Sequence, residues 1–373
     1  VKFENAYIPL NAAWSSPFVR WQGPAAEVSS LNVAAQVTKR ALDEREIGEI
    51  DELVLGLTVP QKESFYGAPT LAARLGLDAV SGPLIMQACA TSVAAIHAAA
   101  SGGTGTRLVV LTDRTSNGPH VVYPSAKAPG GTPQSENWVM DSFGCDPNTG
   151  EGMLATAERV AEQGGFSKAE VDAVTARRWE QYEESLNGFQ ERWMVPITVK
   201  RDEIAADWGI RPAPLDTLAG LKPVTQGGVV SYGSQTHPAD GCAGLIVTSA
   251  PAEVKILSSG FARVARGEMP KAPVPAAQAA LDDAGLTLDQ IDLIKTHNPF
   301  AVNDLWFARE TGADLDAMNP YGCSLIYGHP QGPTGARGIV ELIWALHDRG
   351  GGRGLFTGCA AGDTGAALVV EVG

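Results

Sequence analysis

The chain repeats itself, and the repeat restricts its fold more than any other feature. ALDEREIGEIDELVLGLTVP (41–60) reads as the end of an amphipathic helix, a short loop and a buried strand. ALDDAGLTLDQIDLIKTHNP (280–299) reads the same way, down to the Ile-Asp before the strand. After the first copy comes GPLIMQACATSVAAIHAAAS, an apolar strand, a tight turn and a helix of small residues. After the second comes NPYGCSLIYGHPQGPTGARGIVELIWAL, again a strand-like piece, a turn and a helix. Two such units in one chain imply two βα-rich halves related by a pseudo-twofold axis.

A third element matches. RGLFTGCAAGDTGAALVVEV at the C-terminus reads as two strands joined by a Gly-rich bend. Its second strand, DTGAALVVEV (363–372), resembles DGCAGLIVTS (240–249), whose partner RLVVLTDR (107–114) stands far upstream. The simplest account is an insertion inside the first half's hairpin. It gives a first half of residues 1–114 plus 239–250, an inserted domain of 115–238 and a second half of 251–373. The insertion is rich in Trp, Glu and Arg, and residues 152–186 carry helical periodicity.

Composition narrows the functional classes. A formal net charge of −14 argues against a nucleic-acid surface, though a few placed Arg or Lys residues suffice for a phosphorylated ligand. The five cysteines (Cys89, Cys145, Cys242, Cys323 and Cys359) are widely spread and contain no C-x-x-C pair. That fits a reducing compartment and individual thiols, so a cytoplasmic enzyme is expected. No apolar run has the length of a membrane span, and VKFENAYIPL lacks the order of a signal peptide.

Four residues could carry chemistry. Cys89, in QACATSVAAIHAAA, lies between a strand and an Ala-rich helix, where the helix dipole and free amides favour a thiolate and can hold an oxyanion. A buried structural thiol is the alternative. His329, in YGHPQGPTGARG, occupies the equivalent place in the second repeat, so the two are expected to face each other near the axis. His297 ends the strand LIKT where a loop begins, and Cys359 lies at the bend of the C-terminal hairpin. Zinc is the competing use of such a set, but ligands on such distant elements match no structural spacing, so no metal is expected.

Along essentially its whole length the sequence resembles the thiolase family. QACATSV is similar to the family's nucleophile segment, GHPQGPTGAR to its Gly-His-Pro motif and CAAGDTGAA to its C-terminal cysteine motif, in the family's order. ATAERVAEQGGFSKAEVDA resembles the loop-domain helices, and DWGIRPAPLDTLAGLKPV the segment before the strand that re-enters the core. The resemblance implies duplicated βαβαβαββ halves in a five-layered αβαβα core with an inserted loop domain. It implies a coenzyme A-dependent acyltransferase that cleaves a 3-oxoacyl-CoA, or runs the reverse Claisen condensation, through an acyl-cysteine. Cys89 would be acylated, His329 would take its proton and help hold the thioester oxygen, and Cys359 would exchange a proton with the α-carbon or leaving group. The backbone N–H groups of Cys89 and Ala361 would form an oxyanion site. Arg211 and Thr236 fall where the family places coenzyme A contacts. Coenzyme A is then a co-substrate, with no bound cofactor expected.

The sequence departs from the family pattern at His297-Asn298-Pro299-Phe300, where most members read Asn-Glu-Ala-Phe. Alignment on the Phe puts His297 at the Asn position, as in sterol-carrier-protein-type thiolases; a one-residue shift would put Asn298 there. GSQTHPAD (233–240) replaces the usual Gly-Asn-Ala-Ser stretch. Trp138, Trp179, Trp193 and Trp208 read as core and interface; were they pocket residues, an aromatic or branched acyl group would follow, as in a benzoylsuccinyl-CoA thiolase. A decarboxylating ketoacyl-synthase-like enzyme and a non-catalytic lipid carrier or subunit are the alternatives, and both cysteines speak for a thiolase. The resemblance further implies a homodimer or dimer of dimers, and for His-bearing members a small zinc-ribbon/OB-fold partner.

Overall fold

Alternation in RLVVLTDR settles how the first half is layered. In the strand that contains it, Leu108 and Val110 pack on one face of the sheet while Val109 and Leu111 pack on the other, the two-residue period of a strand buried on both sides. The computed structural model describes all 373 residues. Eleven strands form one mixed sheet. In the first half they are β1 (Tyr7–Ile8), β2 (Ala13–Ser15), β3 (Val19–Arg20), β4 (Glu52–Gly56), β5 (Leu84–Ile85), β6 (Thr106–Arg114) and β7 (Ala239–Thr248). The second half adds β8 (Val254–Arg263), β9 (Leu293–His297), β10 (Gly352–Ala360) and β11 (Thr364–Val372). Their order is β9-β10-β11-β8-β1-β7-β6-β4-β5, with β2 and β3 also paired to β7.

The duplication is visible in the ladders. In the first half β4 runs parallel to β6, and β6 pairs antiparallel with β7 from Arg114↔Asp240 to Thr106↔Thr248. In the second half β9 runs parallel to β10, and β10 pairs antiparallel with β11 from Ala360↔Thr364 to Gly352↔Val372. The long excursion between β6 and β7 therefore replaces the short bend between β10 and β11.

Eight longer helices flank these strands: α1 (Ser30–Glu44), α2 (Ala68–Leu75), α3 (Thr91–Ser101), α4 (Met153–Gly164), α5 (Lys168–Ser185), α6 (Pro273–Ala284), α7 (Ala301–Thr311) and α8 (Pro333–Asp348). Helices α3 and α8 lie between the two half-sheets and share one apolar cluster with both. Helices α1 and α2 cover the outer face of the first half-sheet, and α6 with Phe307 of α7 covers that of the second. The result is helix, sheet, helix, sheet, helix. A helix buried on all sides reads as apolar all round, which is why α3 is made of Thr, Ser, Val, Ala and Ile with one His.

Helix α8 carries charge into that centre and neutralises it. Arg337 bonds both oxygens of Asp207, at 2.6 and 2.8 Å, and Glu341 at 3.0 Å; Lys295 reaches Glu341 at 2.6 Å. Two cations thus meet two anions with no net charge left over, the condition under which buried ions are tolerated.

In the insertion, the expected helices are α4 and α5, the latter started by a capping box between Ser167 and Glu170. Two local expectations fail. The strand before Cys89 shrinks to Leu84–Ile85. The segment CSLIY before His329 is a helical turn, Ser324–Tyr327, not a strand. Asn319, Tyr321 and Gly322 all take positive φ (59°, 65° and 83°), which curls the chain before it reaches Ser324.

Candidate active site

Cys89 sits on a strained turn. Ala88 before it has φ 46°, and Thr91 holds the bend by accepting the Gln87 N–H at 2.8 Å and donating to the Ala88 carbonyl at 2.7 Å. Non-Gly residues in that region persist only where the surroundings over-determine them. The thiol therefore stands on a short 3₁₀ turn, Ala88–Ala90, just ahead of α3.

His329 arrives from the other half. Its backbone N–H donates to the His237 carbonyl at 2.9 Å, and Pro238 pairs with it as a parallel bridge at the entry to β7. Gly328, at φ 95°, is required here, because a Cβ would lie 2.7 Å from the His237 ring. His329 Nε2 comes 3.1 Å from Cys89 Sγ, and its Nδ1 lies 2.6 Å from Thr334 Oγ1 in the first turn of α8. For Nε2 to accept the thiol proton, the resting ring proton must be on Nδ1, donated to Thr334.

His297 lies beside this pair. Its ring centroid is 4.2 Å from that of His329, and one nitrogen of each ring and the Cys89 sulfur lie within 4.8 Å of one another. Asn298 is turned elsewhere: its Nδ2 donates at 2.7 Å to Asp304, which also accepts from Thr296, Asn319 and the buried Arg178. Of the two readings of the loop, the geometry brings His297 to the sulfur. His297 Nδ1 is 2.9 Å from Ser324 Oγ, and its Nε2 is buried without a partner. Ser324 Oγ has no other partner, so its proton belongs on His297 Nδ1, leaving Nε2 as a protonated donor.

Cys359 is in strand β10, not at the bend as expected; the bend is residues 361–363. The thiol accepts a hydrogen bond from Asn303 Nδ2 at 3.2 Å, and is close enough to Cys89 for each sulfur's charge to matter to the other.

The electrostatics reverse one expectation. Burial pushes the Cys89 thiol up to about 12, while the backbone amides of Ala361 and of Cys89 itself pull the other way without prevailing. Burial, then the neighbouring His297, holds His329 well below its usual value, and contact with Gln331 offsets part of this. Burial lowers His297 to about 3. The resting site therefore holds a neutral thiol beside two neutral imidazoles. Desolvation outweighs the helix end and the amides, so the thiol gives up its proton only to a partner placed against it.

A cavity of about 270 Å³ opens on Cys89 and His329, lined otherwise by Phe143, Met153, Leu154, Met269, Phe300 and other residues including Ala361 and Thr236. None of the four tryptophans lines it. Gln235 also borders a neighbouring cavity of about 210 Å³ that contains Arg211, Arg20, Tyr232 and His237. Thr236 donates its hydroxyl proton to the Ser324 carbonyl.

Sequence reasoning missed Asn303, Ser324, Thr334 and Gln331, each of which touches one of the four chemical residues. Thr334 and Gln331 were in plain view inside GHPQGPTG; Asn303 and Ser324 are adjacent only through the fold.

Comparison with known proteins agrees with the geometry. The family description "Thiolase, N-terminal domain" matches residues 10–251 and "Thiolase, C-terminal domain" matches 251–372. This chain belongs to the thiolase family. Thiolase chemistry on coenzyme A thioesters, cleavage or the reverse Claisen condensation, is thus its activity, centred on a cysteine with two histidines. Among curated relatives, the beta-ketoadipyl-CoA thiolase of Pseudomonas knackmussii is 31% identical, over 95% of this chain and 96% of that protein. The acetyl-CoA acetyltransferase of Pseudomonas aeruginosa is 29% identical, over 97% and 98%. The solved acetyl-CoA acetyltransferase of Bacillus anthracis superposes with a TM-score of 0.90 at 27% identity, over 100% of this chain and 99% of that one. No helix of this thiolase is long and apolar enough to cross a membrane.

Proposed function

We propose that Cys89 accepts the acyl group, with the 3.1 Å contact between its sulfur and His329 Nε2 as the observation that carries the assignment. In the cleavage direction the Sγ–H proton passes to His329, the sulfur bonds to the 3-oxo carbon, and the bond from that carbon to the α-carbon breaks. Cys359 protonates the departing α-carbon, releasing acetyl-CoA and leaving the shortened acyl chain on Cys89. The thiol of coenzyme A then attacks the acyl-cysteine, giving its proton to Cys359; the shortened acyl-CoA leaves and Cys89 regains its proton from His329. The protonated His297 Nε2 donates to the oxygen at one stage, and the amides of Cys89 and Ala361 at the other. His297 thus does the work that an Asn does in most of the family, the reading that aligns this chain with the His-bearing, sterol-carrier-protein-type subgroup.

Segment 115–238 serves as the loop domain, with Arg211 at the phosphates and Thr236 near the pantetheine arm; their places on two adjoining cavities support this. The small apolar cavity and the similarity to an acetyl-CoA acetyltransferase favour a short acyl group. The aromatic or branched reading loses the tryptophans on which it rested. A homodimer is supported by edge strand β5, where Leu84 and Met86 are exposed and nearby Phe65 and Tyr66 are among the most exposed aromatic residues of the chain.

The test is intact mass after incubation with acyl-CoA and 3-oxoacyl-CoA thioesters. A mass gain on the native chain that Cys89→Ser abolishes is expected. No adduct from any thioester on folded protein would overturn the assignment.

A further inference from the structure

One polar side chain at the nucleophile takes no part in the acyl transfer through Cys89, His329, His297 and Cys359. Gln331 follows the His329-Pro330 pair, is 6% exposed, and lines the cavity. Its Oε1 lies 3.4 Å from Cys89 Sγ, within reach of the thiol proton, and its side chain also touches His329. Its backbone is in the left-handed region at φ 69°, a conformation a glycine would hold without strain. The position is also fixed from outside. The next residue, Gly332, donates its N–H to Asp113 at 2.8 Å, and its carbonyl accepts from Ser92, three residues beyond the nucleophile. The turn is thus fastened to the first half, and the amide of Gln331 is delivered to the sulfur rather than left to find it.

We propose that Gln331 is a third catalytic side chain at the nucleophile, whose amide hydrogen-bonds Cys89 Sγ in both of its protonation states. In the resting enzyme Oε1 and His329 Nε2 both face the thiol proton, at 3.4 and 3.1 Å from the sulfur, and share it as a three-centre hydrogen bond. When the proton leaves for His329, sulfur becomes an acceptor only, and a half-turn about the last torsion of Gln331 brings its NH₂ to the thiolate. No bond beyond the Sγ–H is broken and no further reactant is needed. A hydrogen bond to a charged sulfur is roughly twice as strong as one to a neutral thiol. The amide therefore favours the thiolate in a site whose burial opposes it. This rests on Cys89 being the nucleophile, but its test does not depend on any thioester.

The experiment is alkylation of the native-length enzyme by iodoacetamide across pH, followed at the Cys89 peptide by mass spectrometry, since Cys145 is exposed and will react as well. Gln331→Met and Gln331→Leu both remove the amide with little change of volume. Alkylation of Cys89 is expected to slow about tenfold in both at every pH from about 7 to 9, the equivalent of a one-unit rise in the thiol's pKa. A wild-type rate in either variant would overturn the proposal. So would slowing confined to a variant whose melting temperature has fallen, which is the signature of packing alone.

Discussion

His297 and Ser324 allow a graded test of how the oxygen is held. The ring makes one hydrogen bond, from Ser324 at 2.9 Å, and presents its second nitrogen unpartnered within the cluster. His297→Ala removes a donor aimed at developing charge, a loss worth about 10²–10³ in kcat, or ~2.7–4 kcal/mol. Ser324→Ala removes only the bond that selects the tautomer. At ~1 kcal/mol for a neutral bond, the ratio of right to wrong tautomer falls from about five to about one, so the competent fraction, and with it kcat, drops about twofold. Ser324→Thr keeps the hydroxyl and is expected to restore most of that loss. Steady-state thiolysis with the acylation rate of Cys89 measured separately reads all three variants. A His297→Ala enzyme within about tenfold of wild type would refute the donor role. A Ser324→Ala enzyme as impaired as His297→Ala would refute the tautomer argument.

Other consequences can be measured directly. Cys359→Ala should still gain acyl mass at Cys89 from a simple acyl-CoA, while carbon–carbon cleavage falls about 10²–10⁴-fold, the worth of a positioned proton donor; loss of acylation as well would contradict the division of labour. Asp207→Asn leaves the buried Arg337 and Lys295 to share Glu341, one enclosed positive charge in excess, and should cost about 3–5 kcal/mol in denaturant unfolding. Burial, then Arg20 and Arg211, lowers His237 to about 4. Between pH 6.5 and about 4 the unfolded chain binds a proton there that the folded chain refuses, so stability falls as pH falls, by about 1.4 kcal/mol per unit. His237→Gln should remove that slope, and an unchanged acid profile would count against it. Cys89, His297 and His329 could between them ligate a metal; prolonged chelation is nonetheless expected to leave activity unchanged.

Much of this was legible before the fold was known, because duplication leaves marks in sequence. The Ile-Asp-strand repeat identified β4 and β9, and the distant partners RLVVLTDR and DGCAGLIVTS do pair residue by residue. What stayed hidden depends on three-dimensional closeness. CSLIY has the composition of a strand, but it follows a left-handed run at Asn319, Tyr321 and Gly322 and forms a helical turn. The raised pKa of the Cys89 thiol is hidden for a related reason: a helix end is visible in sequence, whereas the depth at which it is buried is not. His297 and Asn298 are alternatives in sequence and are separated by the fold, in which Asp304 holds the Asn.

The nucleophile belongs to one repeat and its base to the other, and the turn at Gly332 is fastened across that seam by Asp113 and Ser92. During synthesis Cys89 is therefore made some 240 residues before the imidazole it needs. Until α8 docks, the thiol has no proton acceptor and no enclosed cavity, so a half-made chain meeting acyl-CoA has no means of loading itself. Activity here is also a report that the two repeats have come together, which makes acylation of Cys89 a probe of folding as much as of catalysis.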